Sequence, residues 1–323
     1  MQLSKEKIMG RQLRIEYPGA YYHVTSRGNE RKDVFKSVRD REKFLMYLES
    51  SVVRYGAVIH AYCLMNNHYH LLVETPLGNL SQIMQHINGA YTNYFNTKRK
   101  RSGHLFQGRY KAILVEADEY ATELSRYIHL NPLRAGAVAV PNEYLWSSYR
   151  DYIGLREAPK WLKTTFVLDQ FGGHAAAARK KYRIFVEEII GKELESPLKE
   201  AVAATILGSA DFIAGIQEQH VMPMPSDRNL PVLSQLANRP AIDRIIETVK
   251  VAFGDDGRLS EKTAIYLCHV FSGAKLREIG ERFGVKDSAV SQASRRFKVE
   301  LGKDKELKKK VVILTKNMGL SNV

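Results

Sequence analysis

Cysteine is nearly absent from this chain. Only Cys63 and Cys268 occur in 323 residues, too far apart for a CxxC metal pair or a disulfide framework. Their scarcity excludes the disulfide-stapled secreted scaffolds and points to a reducing compartment. Long apolar runs are missing as well, so no stretch reads as a helix that spans a bilayer. The opening residues, MQLSKEKIMGRQLRIEY, are charged and lack the apolar core of a signal peptide, so the expectation is a cytoplasmic protein. Acid is the minority charge. Against 35 Asp and Glu stand 49 Lys and Arg, a net charge of +14 that suggests a polyanionic partner. No basic amphipathic helix with a broad aromatic face is visible, so a membrane surface is the poorer partner and nucleic acid the better one.

Three stretches differ in texture. Residues 15–150 mix strand-like and helical runs. Residues 151–240 lack strand signals, carry the run Ala175 to Ala178, and end in the proline-spaced VMPMPSDRNLP at 221–231. They read as a helical connector and linker. Residues 241–316 are helical and basic. Within the first stretch, AYYHVTSRG (20–28) alternates as a strand. Phe44, Leu45, Leu48 and Val52 share one helical face over 39–54. AVIHAYCLM (57–65) and HLLVET (70–75) read as paired strands around the turn-prone Asn66 and Asn67. Ile83, Ile87, Tyr91 and Tyr94 mark a helix over 81–95, and LFQGRYKAILVE (105–116) a further strand. Asp118 then caps a helix that Pro132 stops. The order β-α-β-β-α-β-α predicts an α+β domain: a ferredoxin-like antiparallel sheet with helices on one face, followed by an all-α C-terminal region.

The sharpest local feature is NNHYHLLVE at 66–74. Period-2 geometry puts His68 and His70 on one face of a strand and Tyr69 on the other. Two neutral imidazoles so placed can hold a divalent metal with open positions, and such an ion polarises a phosphoryl oxygen. A His-x-His pair taken alone is more often structural.

GAYYHVTSRGNERKDVF (19–35), AYCLMNNHYHLLVE (61–74), GHLFQGRYKAILVE (103–116), RYIHLNPLRAG (126–136) and WSSYRDY (146–152) together resemble the REP-associated tyrosine transposases. These are IS200-like members of the HUH single-strand endonucleases. Members commonly have Pro where this chain has Asn66, a change confined to the turn. The resemblance implies a metal site at His68 and His70, occupied by Mg2+ or Mn2+, and one catalytic tyrosine, by position Tyr127. It further implies attack on a DNA phosphodiester, a link to the 5′ phosphate and departure of a 3′ hydroxyl, so that the strand can be rejoined without ATP. Tyr127 and Asn131, four apart on one helix, share a face. Related enzymes place a polar ligand at that spacing, which makes Asn131 the candidate third ligand. His129 points elsewhere, Tyr91 and Tyr94 read as core, and Tyr120 is the reserve nucleophile.

Lys98, Arg99, Lys100, Arg101, Arg109 and Lys111 form an acid-free basic run in which His104, Phe106 and Tyr110 interleave. Cations can track phosphates and rings can stack on unpaired bases. Arg27, Asn29 and Arg31 form a second polar cluster, and similar clusters lie near DNA in the resembled family. At the other end, SEKTAIYLCHVFSG (260–273), KLREIGERFGV (275–285) and KDSAVSQASRRFKVEL (286–301) read as three helices. The last two suggest a helix-turn-helix, similar to the DNA-binding domain of the DnaA replication initiators. Ser288, Ser291, Gln292 and Arg295 would face base edges, while Arg296 reaches phosphate.

The expectation is therefore a prokaryotic, nucleoid-associated DNA processor with a nuclease domain over 15–150 and a duplex-binding domain over 241–316. It would act on single-stranded or hairpin DNA, and a homodimer is compatible with it. Two rivals remain open: a catalytically inactive relative acting as a DNA- or RNA-binding regulator, and a zinc protein using Cys63, His68 and His70.

Overall fold

In the computed structural model, which describes residues 13–192, 196–222, 240–254, 257–272 and 274–318, the alternating run becomes β1 (Ala20–Arg27). The helical face around Phe44 becomes α1 (Val38–Tyr55). A hairpin follows, β2 (Val58–Leu64) and β3 (His68–Thr75), then α2 (Leu80–Lys98), β4 (Lys111–Val115) and α3 (Ala117–His129). The sheet order is β2-β3-β1-β4-β5, with β5 (Ile206–Leu207) parallel to β4 and the other pairs antiparallel. The α+β class and the ferredoxin-like order of the first four strands hold.

Alternation assigns the two faces. Tyr69 turns to α1 and α2, where its ring lies 4.8 Å from that of Phe44 and its hydroxyl donates to Asn88 Oδ1. These two helices share one face, as expected. The third does not join them. Leu124 and Ile128 of α3 pack with Ala61, Cys63 and Leu72 on the opposite face, so the sheet is covered on both sides.

Two boundaries differ from expectation. The strand anticipated over 105–116 forms only from Lys111, because Gly108 adopts a positive φ of 72° and the chain turns there. Phe106 meets Gly28 in a single bridge and buries its ring beside Tyr69. Asp118 is not the cap of α3. The cap position is Glu116, whose carboxylate accepts from the Ser209 backbone N–H, and Asp118 sits in the first turn.

The stretch expected to be a connector is largely core. Residues Arg14–Ala210 form one unit, and those from Asp211 onward a second. Helix α3 ends at His129, ahead of Pro132 as expected, and Pro132 lies in the first turn of a separate single turn, α4 (Asn131–Arg134). Helix α5 (Ala175–Glu187) buries Ala178, Tyr182 and Val186 in the same cluster as α3. Residues 223–231 of the proline-spaced segment lie outside the described residues.

Asp40 shows why part of the basic run is not free. Its fully buried carboxylate accepts from Lys98 Nζ at 2.8 Å, from Arg99 Nη2, and from the Lys36 backbone N–H at 2.9 Å. Burial would raise its pKa, but the hydrogen bonds from Lys98 and Arg99 outweigh that and hold it well below the usual carboxylate range. Asp40→Ala should therefore destabilise the first unit by about 2–3 kcal/mol, less than a fully buried pair because both cations can return to water. Chemical denaturation checks this. The contribution is present above the unfolded Asp value of 3.8 and fades as pH falls below it.

The second unit is helical: α6 (Ile242–Phe253), α7 (Gly257–Leu267), α8 (Leu276–Phe283), α9 (Asp287–Lys303) and α10 (Lys305–Asn317). Its core gathers Ile245, Val249, Leu267, Ile279, Val290, Phe297 and Leu301, as the spacing predicts for α8 and α9. The cap position before α9 is Lys286, and Asp287 sits in its first turn. Gly284, at φ 65°, ends α8, and Val285 turns back over it. A Cβ on Gly280 would stand 2.5 Å from the Val285 carbonyl oxygen. Alanine is the better helix former by about 1 kcal/mol. The clash should nevertheless win, leaving Gly280→Ala destabilised by about 1–2 kcal/mol net in a thermal melt of the second unit.

Candidate active site

The register of the central strands decides what meets α3. His68 pairs with Arg27, His70 with Thr25, and Leu72 with His23. Thr25 also faces Lys111 on β4. One sheet face therefore carries His23, His68 and His70 together with Arg27 and Lys111, both exposed. The imidazole rings of His68 and His70 are 5.0 Å apart. Above them, the ring of Tyr127 stands edge-on to His70 at 5.9 Å and to His23 at 6.1 Å. The guanidinium of Arg134 lies over the Tyr127 ring at 4.8 Å. The sequence-predicted nucleophile and imidazoles are thus brought together.

Two asparagine contacts orient the site. Asn67 donates from Nδ2 to the Arg31 carbonyl at 3.0 Å, which points its Oδ1 at His68 Nδ1, 2.6 Å away. An amide oxygen only accepts, so the His68 proton sits on Nδ1 and Nε2 keeps a lone pair. Asn131 uses only its amide nitrogen. Its Nδ2 donates to the Tyr127 carbonyl at 2.8 Å, tying off the end of α3 and leaving Oδ1 as its one spare atom.

His23, which the motif reading passed over, supports His70. Its Nε2 lies 3.0 Å from His70 Nδ1, and its own Nδ1 is buried without a partner among the described residues. If His70 Nδ1 donates, His70 Nε2 is free to bind a cation and the His23 proton occupies that unpartnered Nδ1. Burial lowers the pKa of His23 to about 4. Burial, then the nearby Arg27, lowers that of His68 to about 4. His70 is pushed well below 6.5 by burial and by His23 and His68. All three imidazoles are therefore neutral at pH 7, the state a metal ligand requires.

Other candidates separate clearly. His129, expected only to point elsewhere, is a core histidine, with Nδ1 2.6 Å from Tyr182 Oη and Nε2 2.7 Å from Ser148 Oγ. The Tyr120 hydroxyl donates to Glu200 at 3.4 Å, and burial with that carboxylate raises its pKa, which disfavours it as a nucleophile. Cys63 lies opposite His70 but is fully buried, and burial pushes its thiol up, so it is a core residue and not a third ligand. Among the described residues, no group of three or more His, Cys, Asp or Glu is arranged to hold a metal. Glu74 pairs with His60 at 3.0 Å.

The basic run divides. Lys98 and Arg99 are committed to Asp40. Lys100 and Arg109 are exposed, and Arg101 donates to the His104 carbonyl. Phe106 and Tyr110 are buried, so they are not stacking platforms. Asn29 and Arg31 lie exposed in the turn that Asn67 braces. On α9, Ser288, Gln292, Arg295 and Arg296 are exposed and Ser291 is half-buried.

Residues 16–131 match the transposase IS200-like family. The match runs from just before β1 through Asn131 and so takes in His23, His68, His70 and Tyr127. Among solved structures, that of a REP-associated tyrosine transposase bound to a REP hairpin is similar, with a TM-score of 0.40 and 15% identity. The alignment covers 48% of this chain and 92% of that one. No curated protein matches. Within the matched segment, the His70 ring neighbours both the His68 ring and the Tyr127 ring. Among the described residues, no helix is long and apolar enough to cross a membrane.

Proposed function

We propose that the IS200-like domain cuts and rejoins single-stranded or hairpin DNA through a covalent link at Tyr127. The observation that carries this reading is the edge-on placement of the Tyr127 ring against His70 and His23, beneath the Arg134 guanidinium. A phosphodiester entering here would meet Arg27 and Lys111 from the sheet and Arg134 from α4, three cations that offset its charge. The Tyr127 oxygen bonds to phosphorus as the phosphorus–O3′ bond breaks. The 3′ oxygen leaves as a hydroxyl, taking up a proton, while the phenol gives one up.

The donor set fits a divalent cation in part. His68 Nε2 is left unprotonated by the Asn67 contact, and His70 Nε2 is left so when its Nδ1 bonds His23. Those two nitrogens would hold Mg2+ or Mn2+, with Asn131 Oδ1 the candidate third donor. When bound, the ion would polarise the phosphoryl oxygen and lower the charge that attack must overcome. Imidazole suits Mn2+ better than Mg2+, which makes manganese the probe of choice. In the second unit, α8 and α9 with Ser288, Ser291, Gln292, Arg295 and Arg296 are proposed to bind duplex DNA, with α9 in the major groove.

The experiment is incubation with end-labelled hairpin DNA, with and without Mn2+, followed by denaturing electrophoresis. A metal-dependent protein–DNA band is expected. Tight DNA binding with no such band under any metal would instead indicate a binding regulator.

A further inference from the structure

Outside the matched segment, the chain builds a wall beside the helix that carries the nucleophile. Between α4 and the turn after α5 lies a cavity of about 320 Å³, lined by Leu130, Leu133, Arg134, Ile189, Gly191 and Lys192. We infer that this hollow receives one nucleotide of the DNA strand, the one adjoining the phosphate that Tyr127 attacks. The inference rests on the proposed role of Tyr127.

Size, chemistry and placement agree on that occupant. The volume is at the low end of the roughly 300–1,000 Å³ range of ligand pockets, enough for one base and too little for a duplex. Leu130, Leu133 and Ile189 offer aliphatic surface to the flat face of a base. Arg134 and Lys192 supply two cations for the attached phosphate, and the lining contains no acid. Arg134 is shared: it rims the hollow and covers the Tyr127 ring at 4.8 Å. A strand threaded past Lys192 and Arg134 therefore reaches the phenol within one nucleotide step.

The wall is also fixed in place. Arg126 of α3 donates to the Phe185 carbonyl and to Glu188, each at 3.2 Å, and stacks over the Phe185 ring at 4.0 Å. Ile189 packs against the same core as Tyr127 and Leu133. The end of α5 is thus held to the helix that bears Tyr127, and the matched segment 16–131 contains neither Ile189 nor Lys192.

The test uses the full chain with Tyr127→Phe, which holds DNA without cutting it. A single abasic site is walked along a labelled hairpin strand, and binding is measured at each position. One position should weaken binding about tenfold, in keeping with the loss of one base contact. In Ile189→Ser that position should cost less than about twofold, because the contact is already gone. Lys192→Glu, a surface change that leaves the core untouched, should weaken every strand and also erase the special position. Cleavage mapping with the native chain should place that position next to the cut. If no abasic position couples to Ile189 or Lys192, the inference is overturned, even if the native chain forms an adduct. If coupling is seen and no adduct forms, the hollow stands as a nucleotide site and the nucleophile assignment is what fails.

Discussion

A chain carrying Tyr127→Phe should bind hairpin DNA as the native chain does and form no covalent adduct with it. The substitution removes one oxygen and keeps the ring, so the contacts with His70, His23 and Arg134 persist. A free phenol has a pKa of about 10 and attacks only where its surroundings favour the oxyanion. Tyr120, the reserve candidate, is bonded to Glu200, and Tyr91 is buried beneath α1. Adduct formation should fall by about 10⁴-fold or more, the scale of deleting a covalent nucleophile. Tyr120→Phe should leave it unchanged. An adduct that survives Tyr127→Phe on a denaturing gel would take Tyr127 out of the site.

The two imidazoles should separate in a second way. His68→Ala and His70→Ala should each reduce Mn2+-dependent adduct formation by more than the 10- to 100-fold, roughly, typical of losing a residue that only supports a ligand. Their effects on stability should differ. His68 leaves behind Asn67, which borders solvent, and its removal should cost less than about 0.5 kcal/mol. His70 leaves the buried His23 with neither ring nitrogen paired, a penalty of about 1–3 kcal/mol. Calorimetric titration with Mn2+ and a thermal melt of each variant read the two quantities separately. Unaltered Mn2+ affinity in both variants would place the ion elsewhere.

Much of this was legible in the sequence because period and spacing are local. The alternation of AYYHVTSR marked a strand, and the turn at Asn66 and Asn67 paired β2 with β3. HYH then had to present two imidazoles to one side. What was not legible depends on register between distant segments. His23 becomes the partner of His70 only because β1 and β3 align with Thr25 opposite His70. Its one visible signal was a histidine on the apolar-alternating face of a strand. Lys98 and Arg99 looked like phosphate contacts because nothing near them in sequence shows Asp40, a full helix-pair away. Residues 151–240 looked like a connector because they lack strand signals, and apolar residues such as Ala178, Tyr182 and Val186 follow only a helical period. A helical period says nothing about which helix is covered.

The position of α3 between the sheet and α5 has a consequence for stoichiometry. The Tyr127 ring, on a helix gripped from both sides, already meets His70 within a single polypeptide. Neither has to be borrowed from a second copy. Turnover per molecule should therefore hold constant on dilution, and mixing Tyr127→Phe chains with His68→Ala chains should restore nothing.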